Sequence, residues 1–149
     1  MVSVEELKKF EIFKGLTEAE LENIAEIAEK EELDANVRIF EEKSWATYLY
    51  IVMRGSVEIR MSHDKSGEQL TIDNVGPGEI FGWSAVTEPY TLTAAAWTNK
   101  KTELLKLKGE VLSDLFKKCN HIGYKFVMKV AAVISSRLRQ ASQRLTNSM

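Results

Sequence analysis

The spacing of apolar residues along this chain changes period twice, and those changes limit what it can fold into. Residues 1–34 repeat at the helical spacing, residues 37–107 alternate with a period near two, and after Gly109 the helical spacing returns. Ser3-Val4-Glu5-Glu6 and Thr17-Glu18-Ala19-Glu20 both read as capping boxes, with Val2/Leu7 and Leu16/Leu21 placed as hydrophobic staples. In each, a hydroxyl accepts from the backbone N–H three residues on while the glutamate reaches back, so each predicts a helix start. Leu21, Ile24, Ala25 and Ala28 share one face of the second helix, and Phe10, Ile12 and Phe13 lie between the two as anchors.

The middle of the chain predicts short strands at residues 37–40, 48–53, 57–61, around Leu70 and Ile72, and at 94–97 and 103–107. Arg54-Gly55 is a tight turn and residues 63–67, HDKSG, form a polar hairpin tip. Short strands separated by regularly spaced turns suggest a sandwich or barrel of antiparallel hairpins. Beyond Gly109, Val111, Leu112, Leu115 and Phe116 mark a short amphipathic helix. A last helix, from about Ile122, carries a seam at Val127, Ala131, Ile134, Leu138, Ala141 and Leu145, spaced alternately four and three apart. Phe126, Val130 and Val133 lie beside that seam, so one face is expected to pack on the strands while the seam meets the same helix of a second copy. Residues 1–34, 35–108 and 109–149 are expected to build one domain, with no repeat or low-complexity linker to mark another.

Charge and chemistry narrow the function. The net charge of −2 hides eleven acids against four bases in residues 1–34, and seven bases with no acid in residues 115–149. No aromatic or Gly-rich interleaving accompanies the bases, so complementary solvated helix faces are expected rather than a nucleic-acid surface. The apolar run 126–134 is short and interrupted by Lys129, which predicts no membrane span. One cysteine, Cys119, fits a reducing compartment, and the cytoplasm is the expected location. His63 in a hairpin tip and His121 before the last helix leave a metal without a third ligand. No nucleophile motif is present, so neither a catalytic nor a metal site is expected.

Residues 76–96, GPGEIFGWSAVTEPYTLTAAA, stand out. A glycine-rich turn running into a short helix leaves backbone N–H groups free for an anion, a weak signal alone. Together with IFEEKSWATYLYIVMRGSVEI at 39–59, whose Ile51, Gly55, Val57 and Ile59 form a spaced pattern, the chain resembles the cyclic nucleotide-binding domain over nearly its whole length. The resemblance implies a mainly β fold with flanking helices: a cupin-like antiparallel β-barrel or jelly roll, with a ligand cradle between barrel and terminal helix. It also implies a regulatory or sensing role and a cyclic nucleotide as ligand, with no other cofactor required. In many members a DNA-binding domain follows. None is recognised in this chain, and a stand-alone homodimeric module is expected, with a protein partner as a further expectation.

In the family, residues 76–96 correspond to the phosphate-binding cassette, usually Phe-Gly-Glu, small residues, then Pro-Arg-x-Ala-Thr or Ser. The ligand-facing positions carried over are Phe81, Gly82, Trp83, Ser84, Ala85, Thr91, Leu92, Thr93 and Ala95. Trp83 replaces the glutamate that accepts from the ribose hydroxyl, and the arginine position falls on Leu92 or Thr91. The final hydroxyl position falls on Ala95, while Lys106 and Lys108 are expected to point outward. Each lost charge-assisted bond is worth roughly 1.5–3 kcal/mol, which predicts impaired or absent cAMP and cGMP binding in the usual mode. Three readings follow: a sensor for some other ligand, an adaptor whose pocket is closed by the Trp83 indole, or a cyclic nucleotide binder with a non-standard mode.

Overall fold

The structure is a computed structural model, described over residues 2–149. Both capping boxes form as expected, with Ser3 and Thr17 accepting from the N–H of Glu6 and Glu20. They start α1 (Val4–Leu7) and α2 (Glu18–Ile27), separated by a 3-10 turn, Glu11–Phe13, that buries Ile12 and Phe13. Strands β1 (Ala28–Leu33), β2 (Arg38–Phe40), β3 (Tyr48–Arg54), β4 (Val57–Ser62), β5 (Gln69–Val75), β6 (Ile80–Phe81), β7 (Ala95–Thr98) and β8 (Thr102–Lys108) follow. Helices α3 (Gly109–Lys118) and α4 (Asn120–Asn147) close the chain.

The strands form two four-stranded antiparallel sheets, ordered β1-β8-β3-β6 and β2-β7-β4-β5. No ladder among the described residues joins them, so of the expected sandwich or barrel the strands form two antiparallel sheets and no closed barrel. A correction concerns residues 28–33, expected within the N-terminal helices. The segment AEKEEL is rich in helix formers, yet it pairs with β8 along its whole length, from Ala28 opposite Leu107 to Leu33 opposite Thr102. Edge pairing against a buried strand outweighs a local propensity of a few tenths of a kcal/mol per residue.

Strand β3 reads as an apolar run because both its faces are covered. Leu49 and Ile51 join Leu105 and Leu107 of β8 in the core beneath the helices. Tyr50 and Val52 instead join Leu104, Phe81, Val57 and Ala96 in a second core between the sheets. The β3–β4 turn runs through Gly55, whose φ of +104° is a backbone region that side chains rarely adopt. A Cβ there would also lie 2.6 Å from the Cα of Thr102. Gly109 is confined differently: a Cβ on it would overlap the carbonyl group of Ala85.

The basic end of the chain meets its acidic start. Lys129 of α4 pairs with Glu11 at 2.9 Å, and His121 Nδ1 lies 2.7 Å from Glu20 Oε2. Cys119 donates its thiol hydrogen to the same carboxylate oxygen at 3.5 Å. Burial alone would raise the Glu20 pKa, but hydrogen bonds from the Thr17 N–H, His121, the Thr17 hydroxyl and Cys119 outweigh it and hold the carboxyl below its ordinary 4.5. A depressed carboxyl contributes stability that is present above the unfolded pKa and is lost as pH falls through the folded one. Glu20→Gln is therefore expected to melt below the parent at neutral pH, with the difference closing as pH drops below about 4.5. Thermal melts of both proteins across that range check it, and a difference that stayed constant in acid would remove the assignment.

Candidate functional site: a cavity between the cassette and the last helix

Residues 76–85 turn sharply because the Gly76 N–H donates to Glu79 Oε1 at 2.7 Å, after which β6 pairs with Tyr50 and Ile51 of β3. Gly82 then adopts φ +75°, with room for a Cβ only at 3.0 Å from the Tyr48 carbonyl oxygen, and a single 3-10 turn, Trp83–Ala85, follows. Phe81 is buried and stacks on Tyr50 at 4.9 Å, with Phe40 6.0 Å from each ring. This aromatic floor fixes the orientation of the turn. Burial, helped by Glu31 and Tyr48, pushes the Tyr50 hydroxyl's pKa up, so that group stays neutral.

Above the turn lies a cavity of about 1160 Å³. One wall is Phe81, Gly82, Trp83 and Ser84 with Leu92, Thr93 and Ala94. A second comes from Ile59 of β4 and Leu70 to Asp73 of β5, and the third from Ile134, Arg137, Leu138, Ala141, Arg144 and Leu145 of α4. Six of the nine expected cassette positions therefore line it: Phe81, Gly82, Trp83, Ser84, Leu92 and Thr93. Ala85, Thr91 and Ala95 do not. Ala85 is buried against Gly109. Thr91 bridges to Trp45, and its hydroxyl donates to the Pro89 carbonyl at 3.4 Å. Ala95 pairs with Arg60, and strand alternation gives its place in the cavity wall to Ala94.

Two cations reach this site that the cassette does not supply. The Arg137 side chain is only 17% exposed and lies with its guanidinium 4.7 Å over the Trp83 ring. It donates to the Ile80 carbonyl, and its Nε is 3.7 Å from Asp73 Oδ2. Arg144 donates to the Ile72 carbonyl at 2.6 Å and approaches Asp73 Oδ1 at 3.9 Å. Burial lowers the Arg137 pKa, while Asp73 and Glu79 act to raise it. An arginine starts so high that the group remains charged. Arg137 and Arg144 stand seven residues apart, two helical turns, so they share a flank of α4 beside Leu138 and Leu145. That spacing was the available signal; reading the bases as solvated missed it.

The Trp83 indole forms a wall and leaves the cavity open, so the closed-pocket alternative is not met. The outward expectation for Lys106 also changes. Its register opposite Tyr50 puts it on the face turned toward the other sheet, where it pairs with Glu31 at 3.4 Å and sits 4.6 Å from the Tyr48 ring centroid, outside the cavity. Of the seam, Ile134, Leu138, Ala141 and Leu145 line the cavity, whereas Val127 and Ala131 are exposed elsewhere on α4. Among the described residues no group of three His, Cys, Asp or Glu could hold a metal ion, and no helix is long and apolar enough to cross a membrane.

The cyclic nucleotide-binding domain family matches residues 30–119, well over half of the chain. The chain belongs to that family. A protein of Geobacter metallireducens GS-15 named for cyclic nucleotide binding is 30% identical, with a TM-score of 0.82 and coverage of 93% of this chain and 99% of that one. The cyclic AMP receptor protein of Thermus thermophilus is 27% identical over 139 residues, 93% of this chain. This chain spans 62% of the length of that relative. A cyclic nucleotide-binding domain from Methylobacillus flagellatus KT shares the fold at a TM-score of 0.84 and 18% identity, covering 98% of this chain and 82% of that one. The cations that line the cavity, Arg137 and Arg144, come from α4.

Proposed function

We propose that the chain is a non-catalytic, ligand-sensing regulatory domain in which occupancy of the cavity sets the position of α4. One observation carries the reading: the cassette and α4 supply opposite walls of the same cavity, so a ligand touching both changes their relative free energies. The two facing sheets correspond in this reading to the family's jelly roll. With Trp83 in the glutamate position and Leu92 or Thr91 in the arginine position, cAMP and cGMP bind weakly or not at all in the usual mode, and no cofactor is required. The exposed seam supports homodimerisation: Val127, Leu138 and Leu145 are 48%, 66% and 67% exposed, apolar side chains that the rest of the chain leaves largely uncovered. The domain is placed in the cytoplasm, acting on a protein partner.

Isothermal titration with cAMP and cGMP, run beside sedimentation equilibrium at the same protein concentrations, tests this. The expected result is a two-copy mass with no saturable heat in the low micromolar range. Low-micromolar saturation would overturn the impaired-cassette reading, and a one-copy mass at every concentration would overturn the dimer.

A further inference from the structure

The geometry points to an amphiphilic monoanion, an acidic headgroup on an apolar body such as a fatty-acid carboxylate, as the ligand class of this cavity. Its headgroup is held by Arg137 and Arg144 of α4 rather than by the cassette. This rests on the sensing reading above and deepens it.

Three features combine. The first is the lining: Phe40, Ile59, Leu70, Phe81, Trp83 and Leu138 give the cavity a mostly apolar surface, and a volume of about 1160 Å³ exceeds the roughly 300–1,000 Å³ usual for small-molecule sites. A polar sugar would leave much of that surface in contact with hydroxyls, whereas a hydrocarbon body would remove it from water.

The second feature is charge. Two guanidinium groups line the cavity together with one carboxylate, Asp73. Glu79 adds a field that Arg137 feels, but it is held by the Gly76 N–H and does not line the cavity. Neither arginine is locked in a close ion pair. Their nearest approaches to Asp73 are 3.7 and 3.9 Å, longer than a charge-assisted hydrogen bond, and their direct donations go to the neutral carbonyls of Ile80 and Ile72. Each guanidinium carries five N–H donors, so each keeps donors beyond those given to the Ile80 and Ile72 carbonyls. A second carboxylate or an acidic headgroup would take these donors, and one negative charge would balance the lining.

The third feature is the origin of the cations. They stand on the second half of α4, where every residue from 138 to 147 is exposed and little apolar packing fixes the helix. A headgroup bound there grips the α4 wall of the cavity directly, and the body bound to the cassette grips the other.

The test is titration of the full chain with dodecanoate below its micellar concentration. Dodecanol supplies the same tail without the charge, and cAMP the family's ligand. Amide hydrogen exchange of residues 138–147 is followed in each case. The expected result is one saturable dodecanoate per chain, altered exchange in that segment, and at least tenfold weaker binding of dodecanol and of dodecanoate to Arg137→Gln. Arg144→Gln, an exposed substitution whose folding is not at risk, should weaken dodecanoate severalfold and stands in if Arg137→Gln melts early. Equal binding of dodecanol, or unchanged affinity in both variants, would overturn the anion assignment. Binding of cAMP as tight as dodecanoate would overturn the ligand class. In those cases altered exchange in 138–147 would leave the sensing reading standing. Should none of the three probes bind or alter exchange, the ligand class and the sensing reading fall together.

Discussion

Phe126→Ala is expected to lower the unfolding free energy by about 3–5 kcal/mol, the range for emptying a buried aromatic site. Phe126 is fully buried, with its ring 6.1 Å from Phe13 and 5.5 Å from Phe116. It thus joins the N-terminal 3-10 turn, α3 and α4 in one contact set, and Ile122 and Val130 are the other buried apolar anchors of α4. Collapse around the gap is limited because each neighbour is itself fixed by a different element. Urea unfolding followed by circular dichroism should show a lower midpoint with an unchanged slope. A loss below about 1 kcal/mol would mean that α4 is not anchored here.

Gly55→Ala should cost about 3 kcal/mol or more, although it adds one methyl group at a turn. The φ of +104° strains any side chain, which accounts for roughly 1–3 kcal/mol. The added Cβ would further collide with Thr102, which is 1% exposed, at both its Cα and its hydroxyl. That hydroxyl accepts from the Ser56 N–H at 3.2 Å and donates to the Lys100 carbonyl at 2.8 Å, so it cannot swing away without breaking both bonds. Differential scanning calorimetry of the variant reads the cost as a fall in Tm. A variant melting within a degree or two of the parent would show that the turn can refold around a side chain.

How far such features were readable in the sequence depended on whether the signal was local. Ser3, Thr17 and their glutamates act within one helical turn, so both N-caps were legible. The alternation at residues 57–61 and the apolar run of β3 were legible because cross-strand burial imposes its own period. β1 was not, since Glu29, Lys30, Glu31 and Glu32 favour a helix and only pairing with β8, some seventy residues later, makes them a strand. β6 is two residues long, too short for any period to show. In the cavity, Phe81 to Ser84 were found through the family pattern, which is contiguous in sequence. Arg137, Arg144 and Asp73 were missed because they are brought together by tertiary folding from α4 and β5, and the charge run around the arginines resembled an ordinary solvated face.

The tight approach of Gly109 to Ala85 has a mechanical consequence. The first residue of α3 sits against the carbonyl of Ala85, the last residue of the 3-10 turn, with no space for even a methyl group, and the Gly109 N–H also donates to the Thr47 carbonyl at 2.8 Å. In the sensing reading proposed above, this contact would act as a fulcrum. On one side is the three-residue turn bearing Trp83; on the other is the helical hairpin, whose long arm, α4, folds back over that same turn. A small tilt at Gly109 would be magnified along an arm of 28 residues, about 42 Å at the helical rise. Its greatest travel would fall at the distal end, where Leu138, Arg144 and Leu145 lie.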